Sequence, residues 1–202
     1  MKEIILGKCM NLVKKNNPTY HEEKLEEIRY GLESIYLTYT KIFVIFVLAY
    51  FLGIIKETLL LLLTYNIIRT FAFGIHATKS IYCLITSLML FIGGVYIVKY
   101  MSLNIYVKTI ISIMLLICIY KYAPADTYKR PLINERKRKK YKVISTILGI
   151  AYVILITILN NNIISNYLLI GMLESVIMIH PLIYKIFNLP FDNYKKYKLN
   201  TV

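Results

Sequence analysis

Two residues that could perform nucleophilic chemistry lie close together in the segment from Arg69 to Cys83. His76 could remove the proton from the Cys83 thiol, and the thiolate is the form of cysteine that attacks a carbonyl carbon. The pair is weak evidence as residue types alone, because a cysteine near a histidine is more often structural. The two residues nevertheless follow directly after an apolar stretch, which makes this segment the first candidate for a catalytic site.

The spacing of His76 and Cys83 constrains the backbone between them. In one straight helix, residues seven apart share a face but are separated by a rise of about 10.5 Å. A direct pair needs heavy atoms within about 2.6–3.2 Å. Catalysis by this pair therefore predicts that the helix bends or breaks within residues 74–83, at Gly74 or in the stretch 78–80. With Ser80 as N-cap, Cys83 would lie in the first turn of a new helix, where the dipole favours a thiolate.

The composition indicates where this segment must work. The 202 residues are 57% hydrophobic with a mean hydropathy of +0.57, yet the net charge is +14. Both properties fit one chain if apolar segments lie in lipid and basic segments face anionic headgroups. The composition excludes a disordered chain and argues against a nucleic-acid-binding domain. Three cysteines exclude a disulfide scaffold, and no metal-type cysteine spacing or Gly-rich phosphate loop predicts a metal or cofactor.

Apolar segments predict an all-α, polytopic helical membrane protein with about six transmembrane segments. A full crossing needs about 17–25 residues, so the second segment is short. The segments are 35–55, 58–71, 81–98, 103–120, 143–159 and 163–187.

Three regions follow from this division. Residues 1–34 form a cytoplasmic amphipathic segment, in which Pro18 separates two short pieces that would lie at the membrane surface. Residues 35–187 form the six-span membrane domain, with the catalytic segment 69–83 and a basic cytoplasmic loop 121–142. Residues 188–202 form a cytoplasmic tail.

The distribution of positive charge predicts the orientation. Most of the 25 Lys and Arg residues fall in segments 1–34, 69–80, 121–142 and 185–202, which alternate on one side of the six crossings. The positive-inside rule then assigns both termini to the cytoplasm. Within the basic loop, the run Arg136–Lys140 could bind anionic lipid or attract an acidic peptide, and the sequence leaves both interpretations open.

Two motif blocks resemble one known family. The chain is similar to the accessory gene regulator protein B (AgrB) family in Arg69, Gly74-Ile-His76-Ala77 and Cys83, and again in Tyr122-Ala-Pro124-Ala-Asp126-Thr-Tyr-Lys129-Arg130-Pro131 with its basic run. The resemblance covers most of the chain. One mild departure is Lys129-Arg130, where family members are often Lys-rich.

The resemblance implies a multi-pass cysteine endopeptidase of the bacterial cell membrane that acts in quorum sensing. Such a protein removes the acidic C-terminal tail from an AgrD-like propeptide and promotes cyclisation to a thiolactone or lactone. The resemblance implies His76 and Cys83 as catalytic residues, and no cofactor. The partners are the propeptide and membrane lipid, with a homodimer left open. Substrate-binding or supporting roles fall to Arg69, Gly74, Asp126, Lys129 and Arg130.

Other interpretations remain at this point. A small transporter or channel could use Lys41, Lys108 and Glu174 to line a polar path, and a membrane adaptor would need no chemistry at all. Glu174 is a functional candidate because ionisable groups inside spans are costly. An ion pair of Glu174 with Lys108 or Arg69 would equally explain it. Cys9 and Cys118 are expected to be small packing residues.

Overall fold

The computed structural model describes residues 2–75, 80–127, 132–159 and 163–195. Within these ranges the chain is helical with no β-strand, so the predicted all-α class is confirmed. One π-helical turn spans Met89–Gly93. The helices are α1 (Lys2–Asn16), α2 (Glu22–Phe51), α3 (Ile55–Ala72), α4 (Ser80–Leu88), α5 (Gly94–Tyr100), α6 (Ile105–Tyr122), α7 (Glu135–Ile158), α8 (Ile163–Ile179) and α9 (Pro181–Ile186).

Four helical stretches in the described residues are long and apolar enough to cross a membrane. They are Lys24–Phe51, Ile81–Tyr100, Ile105–Tyr122 and Glu135–Ile158, and α8 is apolar but shorter. Large apolar side chains on their surfaces are exposed, as lipid contact requires. The chain is therefore an all-α polytopic membrane protein, as predicted. The predicted short second segment is α3, which has 18 residues and carries three charged side chains. Six crossings remain a prediction.

The first compact unit, Met1–Phe51, contains α1 and α2. Pro18 lies in the turn between them, where its missing N–H interrupts no helix. α1 packs on α2, and Lys2 Nζ lies 2.6 Å from Glu33 Oε1. That hydrogen bond raises the pKa of Lys2 above its ordinary value. The expectation of a second short amphipathic piece is wrong, because residues 22–34 continue without a break into the first apolar segment.

The second unit, Leu52–Val202, is built around α8. α8 packs against α3, α5, α6 and α7, and most of its side chains are buried. Gly171 allows α8 to approach α3 closely, since a Cβ there would meet the backbone of Thr64 and Tyr65. Small residues at helix contacts are typical of membrane bundles, where lipid is as apolar as the protein core.

Hydrogen bonds between helices add to this packing. Thr64 Oγ1 donates to the Tyr167 carbonyl at 3.2 Å, and Ser175 Oγ donates to the Tyr65 carbonyl at 3.2 Å. Tyr152 on α7 donates its hydroxyl proton to the Thr64 carbonyl at 2.7 Å. Together these bonds fix α3, α7 and α8 in one arrangement.

Two boundaries differ from the sequence prediction. The basic run Arg136–Lys140 belongs to the first turns of α7, with Asn134 as the N-cap accepting from Lys137 N at 3.1 Å. The predicted loop 121–142 therefore ends at Asn134, because charged residues with good helix propensity extend the helix beyond its apolar part. The last apolar segment is divided at His180, which precedes Pro181 and caps α9.

Candidate catalytic site

The chain leaves the helical conformation directly after α3. Phe73 has φ 57° and Gly74 has φ 113°, both in the left-handed region. Glycine is required at position 74, because a Cβ there would overlap the Arg69 guanidinium and the Met178 carbonyl. Residues 73–75 are not helical, and α4 begins at Ser80. The prediction that 74–83 is not one continuous helix is confirmed.

Backbone hydrogen bonds hold this turn against two other segments. Gly74 N donates to the Ala125 carbonyl at 2.8 Å, and Ala125 N donates to the Ala72 carbonyl at 2.9 Å. Ile75 N donates to the Met178 carbonyl at 3.0 Å. The ends of α3, α6 and α8 therefore meet, and the two motif blocks found in the sequence are neighbours in space.

Arg69, in the last turn of α3, stabilises the same turn. Its Nη2 donates to the Ile75 carbonyl at 2.5 Å. Its Nη1 is buried and has no hydrogen-bond partner among the described residues. Arg69 therefore holds the backbone beside Gly74.

Asp126 is buried, with 4% of its surface exposed, and its carboxylate is surrounded by donors. Oδ1 accepts from Asn193 N at 2.9 Å and from Asn193 Nδ2 at 3.4 Å. Oδ2 accepts from Tyr194 N at 2.8 Å and from Leu132 N at 3.3 Å. Of the two roles predicted for Asp126, the geometry favours the supporting one, because these contacts fasten the C-terminal segment to the loop after α6.

Tyr184 completes this connection and was missed by sequence reasoning. Its buried hydroxyl interacts with two carbonyls, those of Ala125 at 3.3 Å and Asp126 at 3.0 Å. The tail assigned to 188–202 also supplies Asn193, which is buried. The available signal was the polar pair Asp192-Asn193 shortly after Pro190, which is typical of a turn that folds back.

Cys83 lies in the first turn of α4, which begins at Ser80, and its side chain is half-buried. Cys9 and Cys118 lie on α1 and α6 and are half-buried as well. His76, Lys129 and Arg130 lie outside the described residues.

Tyr65 connects Cys83 to other polar groups, and it too was missed by sequence reasoning. The buried Tyr65 hydroxyl interacts electrostatically with Arg69, Glu174 and Cys83. Its ring packs edge-on against Phe91 of the π-helical turn, with centroids 5.3 Å apart. Tyr65 is one of 19 tyrosines, so composition and spacing offered no signal for it.

Glu174 lies on α8 with 4% of its surface exposed. Oε1 contacts Gly94, where a Cβ would overlap it, and Oε2 has no hydrogen-bond partner among the described residues. Lys108 and Arg69 were the two ion-pair partners considered for Glu174. Lys108 donates to Ser165 Oγ at 2.9 Å, and Arg69 donates to the Ile75 carbonyl.

In the described part of the chain, no three His, Cys, Asp or Glu side chains come together as a metal ion would require. The arrangement instead joins a thiol, a phenol, a guanidinium and a carboxyl group inside a helical bundle. The fold and the site therefore define a polytopic membrane protein with a half-buried cysteine and a polar cluster formed by Tyr65, Arg69 and Glu174.

Sequence comparison identifies the family. The family described as Accessory gene regulator B matches residues 7–179. The chain is 30% identical to an AgrB-like protein of Clostridium acetobutylicum over 175 residues, which are 87% of this chain and 84% of the relative. It is 31% identical to an AgrB-like protein of Listeria innocua over 190 residues, 93% and 92% of the two chains.

A third relative is the accessory gene regulator protein B of Staphylococcus aureus, 33% identical over 173 residues, 85% of this chain and 90% of the relative. No solved structure matches the chain significantly. The chain belongs to the accessory gene regulator B family. Membership assigns it to the agr quorum-sensing system.

Proposed function

We propose that the chain is a membrane cysteine endopeptidase that processes an AgrD-like propeptide. The observation that carries the proposal is the position of Cys83 in the first turn of α4, behind the break after α3 and within electrostatic reach of Tyr65. Neither Cys9 nor Cys118 lies at a helix start. Family membership supports a substrate from the agr system.

The reaction proceeds in two acyl transfers. His76 takes the proton of the Cys83 thiol, and the thiolate attacks the carbonyl carbon that precedes the acidic tail. The C–N bond breaks, the tail amine takes the proton from His76, and a thioester to Cys83 forms. His76, neutral again, takes the proton of an internal Cys or Ser of the propeptide, which attacks the thioester and closes the ring. The C–S bond to Cys83 breaks, and the Cys83 thiolate takes the proton back from His76.

Ring closure requires that water does not reach the thioester first. Exchange of one thioester for another changes the free energy little, so the internal nucleophile must be held close in a dry site. The half-buried position of Cys83 in a membrane bundle supports the exclusion of water. Arg69 and Gly74 support the site by shaping the turn after α3, and Lys129 with Arg130 would contact the acidic tail.

The test is cleavage of a co-expressed propeptide by cysteine variants. Cys83→Ala should abolish cleavage, while Cys9→Ala and Cys118→Ala serve as matched controls that retain it. His76→Ala should lose nearly as much, because an unassisted thiol is only a few per cent ionised at neutral pH. A propeptide without its internal nucleophile should leave a hydroxylamine-sensitive adduct on Cys83, which mass spectrometry detects. Trimming of the tail by Cys83→Ala protein present at normal membrane levels contradicts the proposal.

The proposed topology has six crossings, with both termini and residues 121–142 in the cytoplasm. The concentration of Lys and Arg in these segments supports it. The test is labelling of a cysteine introduced at Lys137 with a membrane-impermeant reagent. Labelling is expected only after cells are opened, and labelling of intact cells contradicts the topology.

A further inference from the structure

Two side chains that interact with Tyr65 each keep a buried polar atom without a hydrogen-bond partner among the described residues. Glu174 Oε2 is an acceptor and Arg69 Nη1 is a donor, and neither has a hydrogen-bond partner among the described residues. A buried polar group without a partner costs about 1–3 kcal/mol, and more if it is charged. Most buried polar groups in proteins are satisfied, so an orphaned donor and an orphaned acceptor near one site indicate a missing ligand.

The two groups are linked through Tyr65, which interacts with both of them and with Cys83. The cluster extends from partly exposed to buried side chains: Arg69 and Cys83 are half-buried, while Tyr65 and Glu174 are buried.

The packing around Glu174 keeps it in this position. Gly94 brings the backbone of α5 against Oε1, and Gly171 with Ser175 brings α8 against the Tyr65 turn of α3. The π-helical turn places Phe91 against Tyr65, and such turns are frequent at functional sites. The close contacts thus hold the Glu174 carboxyl group in the core, where Oε2 has no donor among the described residues.

The chemistry of the missing ligand follows from the membrane setting. A peptide segment that enters a water-free bundle loses the water bound to its N–H and C=O groups, and each unpaired group costs several kcal/mol. A site for peptide processing must therefore supply one acceptor and one donor near the scissile bond. Glu174 and Arg69 are such a pair.

We propose that Glu174 and Arg69 form a binding site for the backbone of the peptide that is processed at Cys83. A Glu174 carboxyl oxygen accepts a backbone N–H of the peptide, and Arg69 Nη1 donates to a backbone carbonyl. This inference rests on the proposed function, because it assumes that the ligand at Cys83 is a peptide.

The first experiment measures binding without chemistry. A fluorescently labelled AgrD-like propeptide is titrated into Cys83→Ala protein in nanodiscs. Adding Glu174→Leu should raise Kd about tenfold, which corresponds to one hydrogen bond of about 1.4 kcal/mol. Glu174→Gln keeps an acceptor oxygen and should stay within about threefold of the parent. Glu57→Leu, at the far end of α3 from Arg69, is the matched control and should not change Kd.

The second experiment identifies the bonded group on the peptide. Propeptides with a single N-methyl residue on either side of the cleaved bond each lack one backbone N–H. One of these propeptides should bind the Cys83→Ala protein about tenfold more weakly than the unmodified propeptide does. Its Kd should not rise further when Glu174→Leu is added. Two results overturn the proposal. In the first, Glu174→Leu raises Kd by the same factor for every N-methyl peptide and for the unmodified peptide. In the second, Glu174→Leu leaves the Kd of the unmodified peptide unchanged.

The two experiments separate this inference from the proposed function. Binding to Cys83→Ala protein needs no acyl transfer, so a failure of the Cys83 chemistry leaves the binding result intact. Conversely, loss of cleavage in Cys83→Ala with an unchanged Kd in Glu174→Leu overturns only the backbone site. A structural role for Glu174 would instead lower the thermal midpoint of Glu174→Leu and weaken all peptides equally, which also overturns the proposal.

Discussion

Asp126 and Glu174 are both buried carboxyl groups with 4% of their surface exposed, but their surroundings are opposite. Asp126 accepts three backbone N–H groups and one side-chain amide. Glu174 lies against Gly94 and leaves one oxygen without a partner among the described residues. Burial alone does not distinguish a structural carboxylate from one available to a ligand. The distinction depends on the number of hydrogen-bond donors that the fold directs at the carboxyl group.

The largest expected effect is loss of the Asp126 carboxylate. Asp126→Ala leaves the N–H groups of Leu132, Asn193 and Tyr194 without their acceptor, and we expect a loss of about 3 kcal/mol in the free energy of unfolding. The thermal midpoint in detergent measures it. Asp192→Ala is the control, since this carboxylate pairs with the exposed Lys195 and should matter little. If Asp126→Ala unfolds at the parent temperature, the contrast between the two carboxyl groups fails.

The turn at Gly74 and Ile75, which bonds to Ala125 and to Met178, should be nearly as sensitive to substitution. Gly74→Ala forces a Cβ into a positive φ and against the Met178 carbonyl, with an expected cost of about 2 kcal/mol. Gly31→Ala is the matched control, because nothing lies within 4 Å of a Cβ at that position in α2. Thermal unfolding of the two variants should differ clearly, and equal midpoints would show that the tight turn does not limit stability.

A smaller effect is expected at the edge of the Asp126 region. Tyr184→Phe removes the hydroxyl that interacts with the Ala125 and Asp126 carbonyls and should cost about 1 kcal/mol. The same measurement in Tyr152→Phe tests another buried hydroxyl that donates to a carbonyl, on a different helix. A Tyr184→Phe protein as stable as the parent would mean that the Asp126 carboxylate alone holds this segment.

The smallest effect on stability is expected at Glu174. Glu174→Leu replaces a poorly satisfied buried carboxyl group with an apolar side chain, and such exchanges are often neutral or stabilising. Its thermal midpoint should equal or exceed that of the parent. A fall in stability comparable to that of Asp126→Ala would show that both carboxyl groups are structural, and it would contradict the contrast drawn between Asp126 and Glu174.

Hydropathy and charge were sufficient to predict the helical membrane class, because segments of apolar residues leave few other folds. The break after α3 could also be predicted, since His76 and Cys83 are too far apart in a straight helix. The Asp126 cluster could be predicted only in part. The pair Asp192-Asn193 indicates a turn, but most donors to the Asp126 carboxylate are backbone N–H groups, and those of Asn193 and Tyr194 lie about 67 residues away in the sequence.

The polar cluster was only partly accessible to sequence reasoning. Glu174 was a candidate because a charge in an apolar segment is costly. Its neighbours depend on how α8 rotates against α3, which Gly171 and Gly94 decide through close packing. An ion pair with Lys108 was a reasonable hypothesis, but Lys108 lies beside Ser165 at the beginning of α8.

The central position of α8 has a consequence for biosynthesis. A chain is made from its N-terminus, so α3, α6 and α7 leave the ribosome before the helix that they surround. Until α8 arrives, Thr64 and the glycine-lined contact faces have lipid or the insertion machinery as their neighbours. The segment that closes on Asp126 is made later still. A nascent chain therefore passes through nearly its whole synthesis before the bundle around α8 can take its final form.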